Sequence, residues 1–423
     1  MTAVLLILLF GLLILGAPIY MTLVLSSAGA MLYGGGMNAV AIIQRMTAGI
    51  DKFSIMAVPF FMFCADIMSH GEIGKRLINV CKAFFGHMHG GLAIATTIAC
   101  LIFGAISGAG SAAVVAVGGI VYVLMKEGNY DERFSLGLIL TTSTLAMLIP
   151  PSIAYILYAN ITGDSINTLF MSGLGGGIIF GLLLCIYSYV YARIKKIPVL
   201  PKASIGERLK ALKESLLSLG MIVIILGGIY GGICTATEAA AIACVYAVVI
   251  EVFVYRSISI KELFRVSVKS AQTISMLMIL IAAGSVLSWT MTVMQLPVLL
   301  TNLLSGASWL TVFLLINMIF LIAGMFIDPN SAIIVLVPLI FPMAQAVGIN
   351  SVQLGTVMVI NLAIGMLSPP FGLNIFVGTS VFKKSFSEIV PGLFPFIALS
   401  VIVLLLFTLL PELSLFLSKL MLR

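Results

Sequence analysis

Asp328, Pro329, Asn330 and Ser331 stand together between two apolar runs, shortly after Gly324. A carboxylate in such a setting is costly unless it is paired or has a task. The apolar sequence then resumes and is broken again at Ser368-Pro369-Pro370. The first half of the chain holds a matching set, Gly104-Ala105-Ile106-Ser107-Gly108-Ala109-Gly110-Ser111, followed by Ile149-Pro150-Pro151-Ser152. Broken helices free backbone groups: half-helix N-termini aim N–H donors at anions, while C-termini and unwound turns aim carbonyl oxygens at cations. Oxygen-only ligand sets suit hard cations such as Na+. Ser107, Ser111 and the 104–110 backbone, with carbonyls around Ala146, Ile149 and Pro150, make one such set. Asp328, Asn330 and Ser331, with carbonyls around Gly365 and Ser368, make the other.

The elements that carry these residues follow from composition. The 423 residues are 61% hydrophobic and only 9% charged, against about 25% charged in a soluble domain. Apolar stretches of about 20 residues, the length that spans a bilayer as helix, recur throughout. The chain reads as an all-α polytopic membrane protein. Its net charge of +7 lies mostly in short loops, where it acts as an orientation signal and not as a nucleic-acid surface. Seven basic residues, Arg193, Lys195, Lys196, Lys202, Arg208, Lys210 and Lys213, place loop 193–214 in the cytoplasm. The six cysteines lack C-x-x-C spacing and read as small buried hydrophobes. The three histidines, all within 70–89, offer no zinc-like cluster. The N-terminus lacks the basic flank of a cleavable signal and reads as a retained first helix.

In order, residues 3–33 predict a span kinked or interrupted at Gly16-Ala17-Pro18, and 70–86 an amphipathic interfacial helix. Residues 91–125 are too long for one span: 35 residues of helix cover ~52 Å, against a hydrocarbon core of ~30 Å. A re-entrant hairpin with its tip at 104–111 fits. Residues 134–160 form a helix broken at Pro150-Pro151, and 165–192 another span. In the second half, an apolar stretch at 216–255 is interrupted by Gly227-Gly228 and Thr237-Glu238. A second interfacial helix is expected at 256–269, with spans at 270–290 and 296–304. A second hairpin (309–347), a second broken helix (352–382) and a final helix (386–418) complete the chain.

The halves repeat. Residues 104–120 align with 324–340 at six of 17 positions, including Gly104 with Gly324 and Ser111 with Ser331. Met147-Leu148-x-Pro150-Pro151 aligns with Met366-Leu367-x-Pro369-Pro370, at an offset of 219 against 220 for the hairpins. Interrupted segments at matching places in two halves mark the binding site of a secondary transporter. Of the acids in apolar surroundings, Asp328 carries the functional reading; Asp66 and Glu251 read as snorkelling or locally paired residues, Glu251 with Arg256. Glu238 reads as a helix-start residue. An intramembrane hydrolase is disfavoured: no histidine lies at membrane depth beside a serine, and Asp66 stands poorly placed to meet Asp328.

These residues, with Pro59-Phe60-Phe61, Gly227-Gly228-Ile229-Tyr230, Thr237-Glu238-Ala239-Ala240-Ala241 and Gly372-Leu373-Asn374, resemble the large membrane subunit of TRAP (tripartite ATP-independent periplasmic) transporters, the DctM-like family. The resemblance implies a Na+-coupled importer of organic acids in the bacterial inner membrane. It implies two partners, a small four-helix DctQ-like membrane subunit, here on a separate polypeptide, and a periplasmic DctP-like solute-binding protein. It further implies an inverted-repeat elevator: a transport domain from 91–160 and 309–382 moving against a scaffold from 1–90 and 161–308, with 383–423 as a C-terminal transmembrane helix. The family's sodium positions fall on Ser107, Gly108, Ser111, Ala146, Ile149 and Pro150, and on Gly324, Asp328, Asn330, Gly365, Ser368 and Pro369. Solute contacts are expected from hairpin N–H groups, from the Ser111, Ser152 and Ser331 hydroxyls, and from Asn374. Three departures stand out: the first tip reads Ser-Gly-Ala-Gly-Ser where Ser-Gly-Ser is usual, Ala146 stands where glycine is expected, and Cys64-Ala65-Asp66 replaces a more usual Ala-Gly. A self-sufficient Na+/carboxylate symporter of the same architecture is the alternative that residues alone leave open.

Overall fold

The computed structural model describes residues 1–35, 39–303 and 306–421; Leu304, the end of the expected 296–304 segment, and the last two residues of the 383–423 unit lie outside them. Every regular element among the described residues is helical, and nine helices there are long and apolar enough to cross a bilayer. The first half contains α1 (Thr2–Ile14), α2 (Ile19–Tyr33), α3 (Ala39–Ile50), α4 (Ala57–His70), α5 (Ile73–Phe85) and α6 (Gly91–Ser107). It continues with α7 (Gly110–Glu127), α8 (Glu132–Thr144), α9 (Ile153–Thr162) and α10 (Ile166–Ile194). The second half contains α11 (Ile205–Tyr230), α12 (Ala236–Val254), α13 (Ile260–Val293), α14 (Leu296–Leu303) and α15 (Trp309–Phe326). It ends with α16 (Pro329–Ala346), α17 (Ser351–Gly365), α18 (Leu373–Phe382), α19 (Phe386–Leu409) and α20 (Pro411–Met421).

Both hairpins and both broken helices stand where the sequence put them. Four boundaries differ. Residues 3–33 are not one kinked span: Gly16 takes φ +77° and the chain reverses, so that Gly29 faces Leu8 and Gly34 faces Met1. No separate interfacial helix occupies 256–269. Residues 256–259 lead into α13, a single 34-residue helix whose first turns carry the basic residues and Ser259 as cap. The final segment is two helices, since α19 stops at Leu410 and α20 packs back on α10, with Ser172 Oγ 2.6 Å from the Ser414 carbonyl. The end of the 193–214 loop is already helix, started by a Ser204–Glu207 capping box.

α5 is amphipathic as expected, and its apolar face (Ile73, Leu77, Val80 and Cys81) is buried within the protein against α6 and α11. Glu251 organises its start. This carboxylate is fully buried and accepts hydrogen bonds from the Glu72 and Ile73 N–H groups, each at 3.0 Å, and from Ser257 Oγ. The pairing with Arg256 is therefore wrong: the acid neutralises a helix N-terminus from 179 residues away. Glu238, by contrast, begins α12 in a capping box with Thr235, as the sequence indicated.

The repeats are inverted and interlocked. α10 is 29 residues long, about 43 Å of helix, so its ends mark opposite faces. The base of the first hairpin sits at the C-terminal end of α10, where a Cβ on Gly90 would lie 2.7 Å from the Ser188 carbonyl oxygen. The base of the second sits at the other end, where Ser351 bonds Asp164. In each repeat the second half of the broken helix packs on the second arm of the opposite hairpin. α9 lies on α16, with Tyr158 edge-on to Phe341 at 6.3 Å, and α18 lies on α7, with Phe382 5.2 Å from Tyr122.

Candidate functional site

α6 ends at Ser107 because Gly108 adopts φ +61°, the left-handed angle that terminates helices. The tip then lies flat on the first break. A Cβ on Gly108 would stand 2.1 Å from the Pro151 carbonyl oxygen, and one on Gly104 would stand 2.6 Å from Ala146 Cα. Thus Ala146 is in place as the tip's backing, and its methyl group fits because its partner is glycine. Ile149 turns its side chain toward Gly177 on α10, which leaves only its backbone to face the break. The Pro150-Pro151 bond, like Pro369-Pro370, is cis.

The second tip repeats the packing with different polar chemistry. Gly324 and Gly365 meet backbone to backbone, a Cβ on Gly324 falling 3.1 Å from Gly365 Cα. Asp328 caps α16: Oδ1 accepts from the Asn330 N–H at 3.0 Å and the Ser331 N–H at 3.1 Å, and Oδ2 accepts from Ser331 Oγ. Pro329 follows at the first helical position, where its missing N–H costs nothing. Ser368 Oγ donates to the Ile364 carbonyl at 2.8 Å. Of the second ligand set, Asp328 and Asn330 line the cavity described next, while Gly324 and Gly365 pack on each other and, like Ser368 and Pro369, are not among its lining residues.

A cavity of about 240 Å³ lies between the tips. It is lined by the starts of four half-helices: Gly110, Ser111 and Ala112 of α7, Ile153 and Ala154 of α9, Pro329 and Asn330 of α16, and Leu373 of α18. Several helices here start with a side-chain cap, among them α8 (Asp131), α10 (Ser165) and α17 (Asn350), while α1, α2, α4, α5 and α6 do not. α7, α9 and α18 have none. In α18 the Asn374 and Ile375 N–H groups turn to the Met366 and Gly372 carbonyls, so the N–H groups free to meet a ligand are those at the starts of α7 and α9. The side chains around them are equally unspent. Ser107 Oγ, Ser152 Oγ and both amide atoms of Asn374 are buried with no hydrogen-bond partner in the protein. Ten other side-chain atoms among the described residues share that condition; here it matters because Ser107, Ser152 and Asn374 stand beside the tips and breaks. Asn374, from the second repeat, lies against Gly110 of the first, its Nδ2 3.5 Å from where a Cβ would be.

Asp66 is where the sequence reading failed. It lines the same cavity as Asp328, with Met62 and Ala65 beside it on α4 and Thr273 on α13. Sequence spacing held one faint signal: Met62, Ala65 and Asp66 share a helical face. Nothing local tied that face to residues more than 200 positions away. No lysine or arginine lines the cavity.

A family model described as "Tripartite ATP-independent periplasmic transporter, DctM component" matches residues 6–413. The chain belongs to this DctM family. It is similar to the ectoine TRAP transporter large permease protein TeaC of Halomonas elongata, at 39% identity over all of both chains. It is also similar to the C4-dicarboxylate TRAP transporter large permease protein DctM of Vibrio cholerae, at 37% identity over 99% of this chain and 98% of the relative. Among solved structures, the YdaH transporter of Alcanivorax borkumensis shares the fold, with a TM-score of 0.60 at 12% identity over 89% of this chain and 87% of that one. As a DctM protein the chain is a multi-pass transporter subunit and not an enzyme.

Proposed function

We propose that the chain is the translocating subunit of a Na+-coupled importer for a small organic acid in the bacterial inner membrane. The observation that carries this reading is the convergence of four half-helix N-termini from both repeats on one cavity free of basic side chains. The uncapped first turns of α7 and α9 offer an anion hydrogen-bond donors and dipoles in place of a fixed cation, while Asp66 and Asp328 on the same wall call for a cation to accompany it. At about 240 Å³ the space is below the roughly 300–1,000 Å³ of drug-sized pockets, which suits a small solute. Sodium would be held at the two tip–break contacts, by Ser107, Gly108, Ser111 and carbonyls of 146–150, and by Asp328, Asn330 and carbonyls around 365–369. The interlocked hairpins and broken helices would move together as the transport domain against the remaining scaffold.

Asp328 supplies the test of the ion reading. Asparagine caps a helix about as well as aspartate, so Asp328→Asn keeps α16 and removes only charge. Sodium-driven uptake by the chain reconstituted with its small subunit and binding protein is expected to weaken and to need more Na+ for half-maximal rate. An unchanged sodium dependence would leave Asp328 with its capping role alone.

The partners follow from family membership: a small DctQ-like membrane subunit and a periplasmic DctP-like binding protein that delivers the solute. Uptake is expected only when both are supplied; transport of free solute by this chain alone would favour the self-sufficient symporter. Orientation is tested separately. Lys202 and Lys210 are exposed, and cysteines placed there should react with an impermeant reagent only from the cytoplasmic side. Reaction from outside the cell would reverse the topology.

A further inference from the structure

A second cavity, of about 480 Å³, is stacked on the first along three shared helices. α9 gives Ala154 to the tip cavity and Asn160 to this one, while α16 gives Asn330 and Ile334 respectively. α13 gives Thr273 to the first and Ser285 to the second, an interval of about 18 Å along the helix axis. The displacement is toward the N-terminal end of α10, away from the basic 193–204 segment, since Asn160 also borders Asp164 and Ser165. In the wall of this second cavity α13 and α16 pack closely: a Cβ on Gly284 would stand 2.0 Å from Ile334 Cγ2.

The chemistry of this cavity is the reverse of the first. Its charged lining residues are Arg45 and Lys52, with no acid among them. Neither is in an ion pair among the described residues. The Arg45 guanidinium lies 5.4 Å over the Trp289 ring, and Lys52 Nζ donates to the Asn160 carbonyl at 3.2 Å. Asn160 Oδ1 is buried without a partner, and Ser285 and Ser288 add hydroxyls to the wall. Both side chains are exposed, and two unpaired cations at the mouth of a cleft raise the local concentration of anions. We infer that this is a second binding site, for a carboxylate or similar small organic anion, on the access path to the tip cavity. The solute pauses here before it moves on to the tip cavity. The inference rests on the solute being an anion, and it does not depend on sodium coupling.

The test uses the full-length chain carrying Ser288→Cys in phosphatidylcholine vesicles, against the parent chain as background. An anionic methanethiosulfonate is expected to modify residue 288 faster than its cationic counterpart, by on the order of tenfold, the low end for a charged cleft. Arg45→Gln with Lys52→Gln should erase the difference, and acetate should slow the anionic reagent more than chloride at equal ionic strength. Equal rates for the two reagents, or a preference untouched by the double substitution, overturn the site. Equal slowing by acetate and chloride overturns its carboxylate assignment. Loss of the preference when phosphatidylglycerol is added shows that a lipid phosphate occupies the cavity and overturns the assignment to solute. No sodium gradient or uptake enters the measurement, so a failure of sodium coupling elsewhere remains distinguishable.

Discussion

Gly108→Ala is expected to cut the initial rate of uptake by at least about tenfold, with the protein still folded. The left-handed angle alone costs an L-residue about 1–2 kcal/mol, and about 1.4 kcal/mol corresponds to a factor of ten. The added methyl would also stand 2.1 Å from the Pro151 carbonyl oxygen. That neighbour is backbone of the break, so the tip itself must lift, taking the start of α7 out of the cavity. Gly163 provides the control. It has φ +81° and open space within 4 Å of its Cβ direction, so Gly163→Ala meets the same backbone penalty with no collision. Equal uptake by the two variants would mean that the close tip–break contact is dispensable.

Glu251→Ala should damage the fold more than the transport chemistry. It removes the acceptor for two backbone N–H groups at the start of α5 and for the Ser257 hydroxyl. At about 1–3 kcal/mol for each buried donor left unmade, the loss is roughly 2–6 kcal/mol for the two amides. Thermal unfolding of the detergent-solubilised protein should shift well downward. Glu251→Gln, which keeps one acceptor oxygen, should fall between it and the parent. Gly71 belongs to the same arrangement, since a Cβ there would lie 2.1 Å from the Glu251 carboxyl carbon. If Glu251→Ala unfolds at the parent's temperature, the clasp is not what holds α5.

What could be read from the sequence was whatever local chemistry decides. Pro150-Pro151, Pro369-Pro370, Gly108 and the Asp328–Ser331 run break helices wherever they stand, so hairpin tips and breaks were legible together with the repeat. Reversal at Gly16–Pro18 was not, because a glycine and a proline permit a kink or a full turn, and only the packing of α1 on α2 selects the turn. The basic start of α13 resembled a surface helix, yet its backbone runs unbroken into an apolar span. Asp66 and Glu251 were misread for one reason: their surroundings come from distant segments. Asp328 was singled out for its charge, and the fold shows that much of that charge is engaged by its own helix. Asn374 stands out in the sequence as a polar residue after a break; that it lies against the first tip depends on the crossing of repeats.

That crossing has a thermodynamic consequence. Because α9 lies on α16 and α18 lies on α7, a ligand that draws one tip onto its break also strains or relieves the wall of the other. The two ends of the cavity then share a coupling free energy, which by reciprocity is the same read from either side. On the proposed two-site reading, affinities at the two tips are accordingly not independent quantities. A substitution confined to one repeat, such as Gly108→Ala, belongs to the binding curve of both.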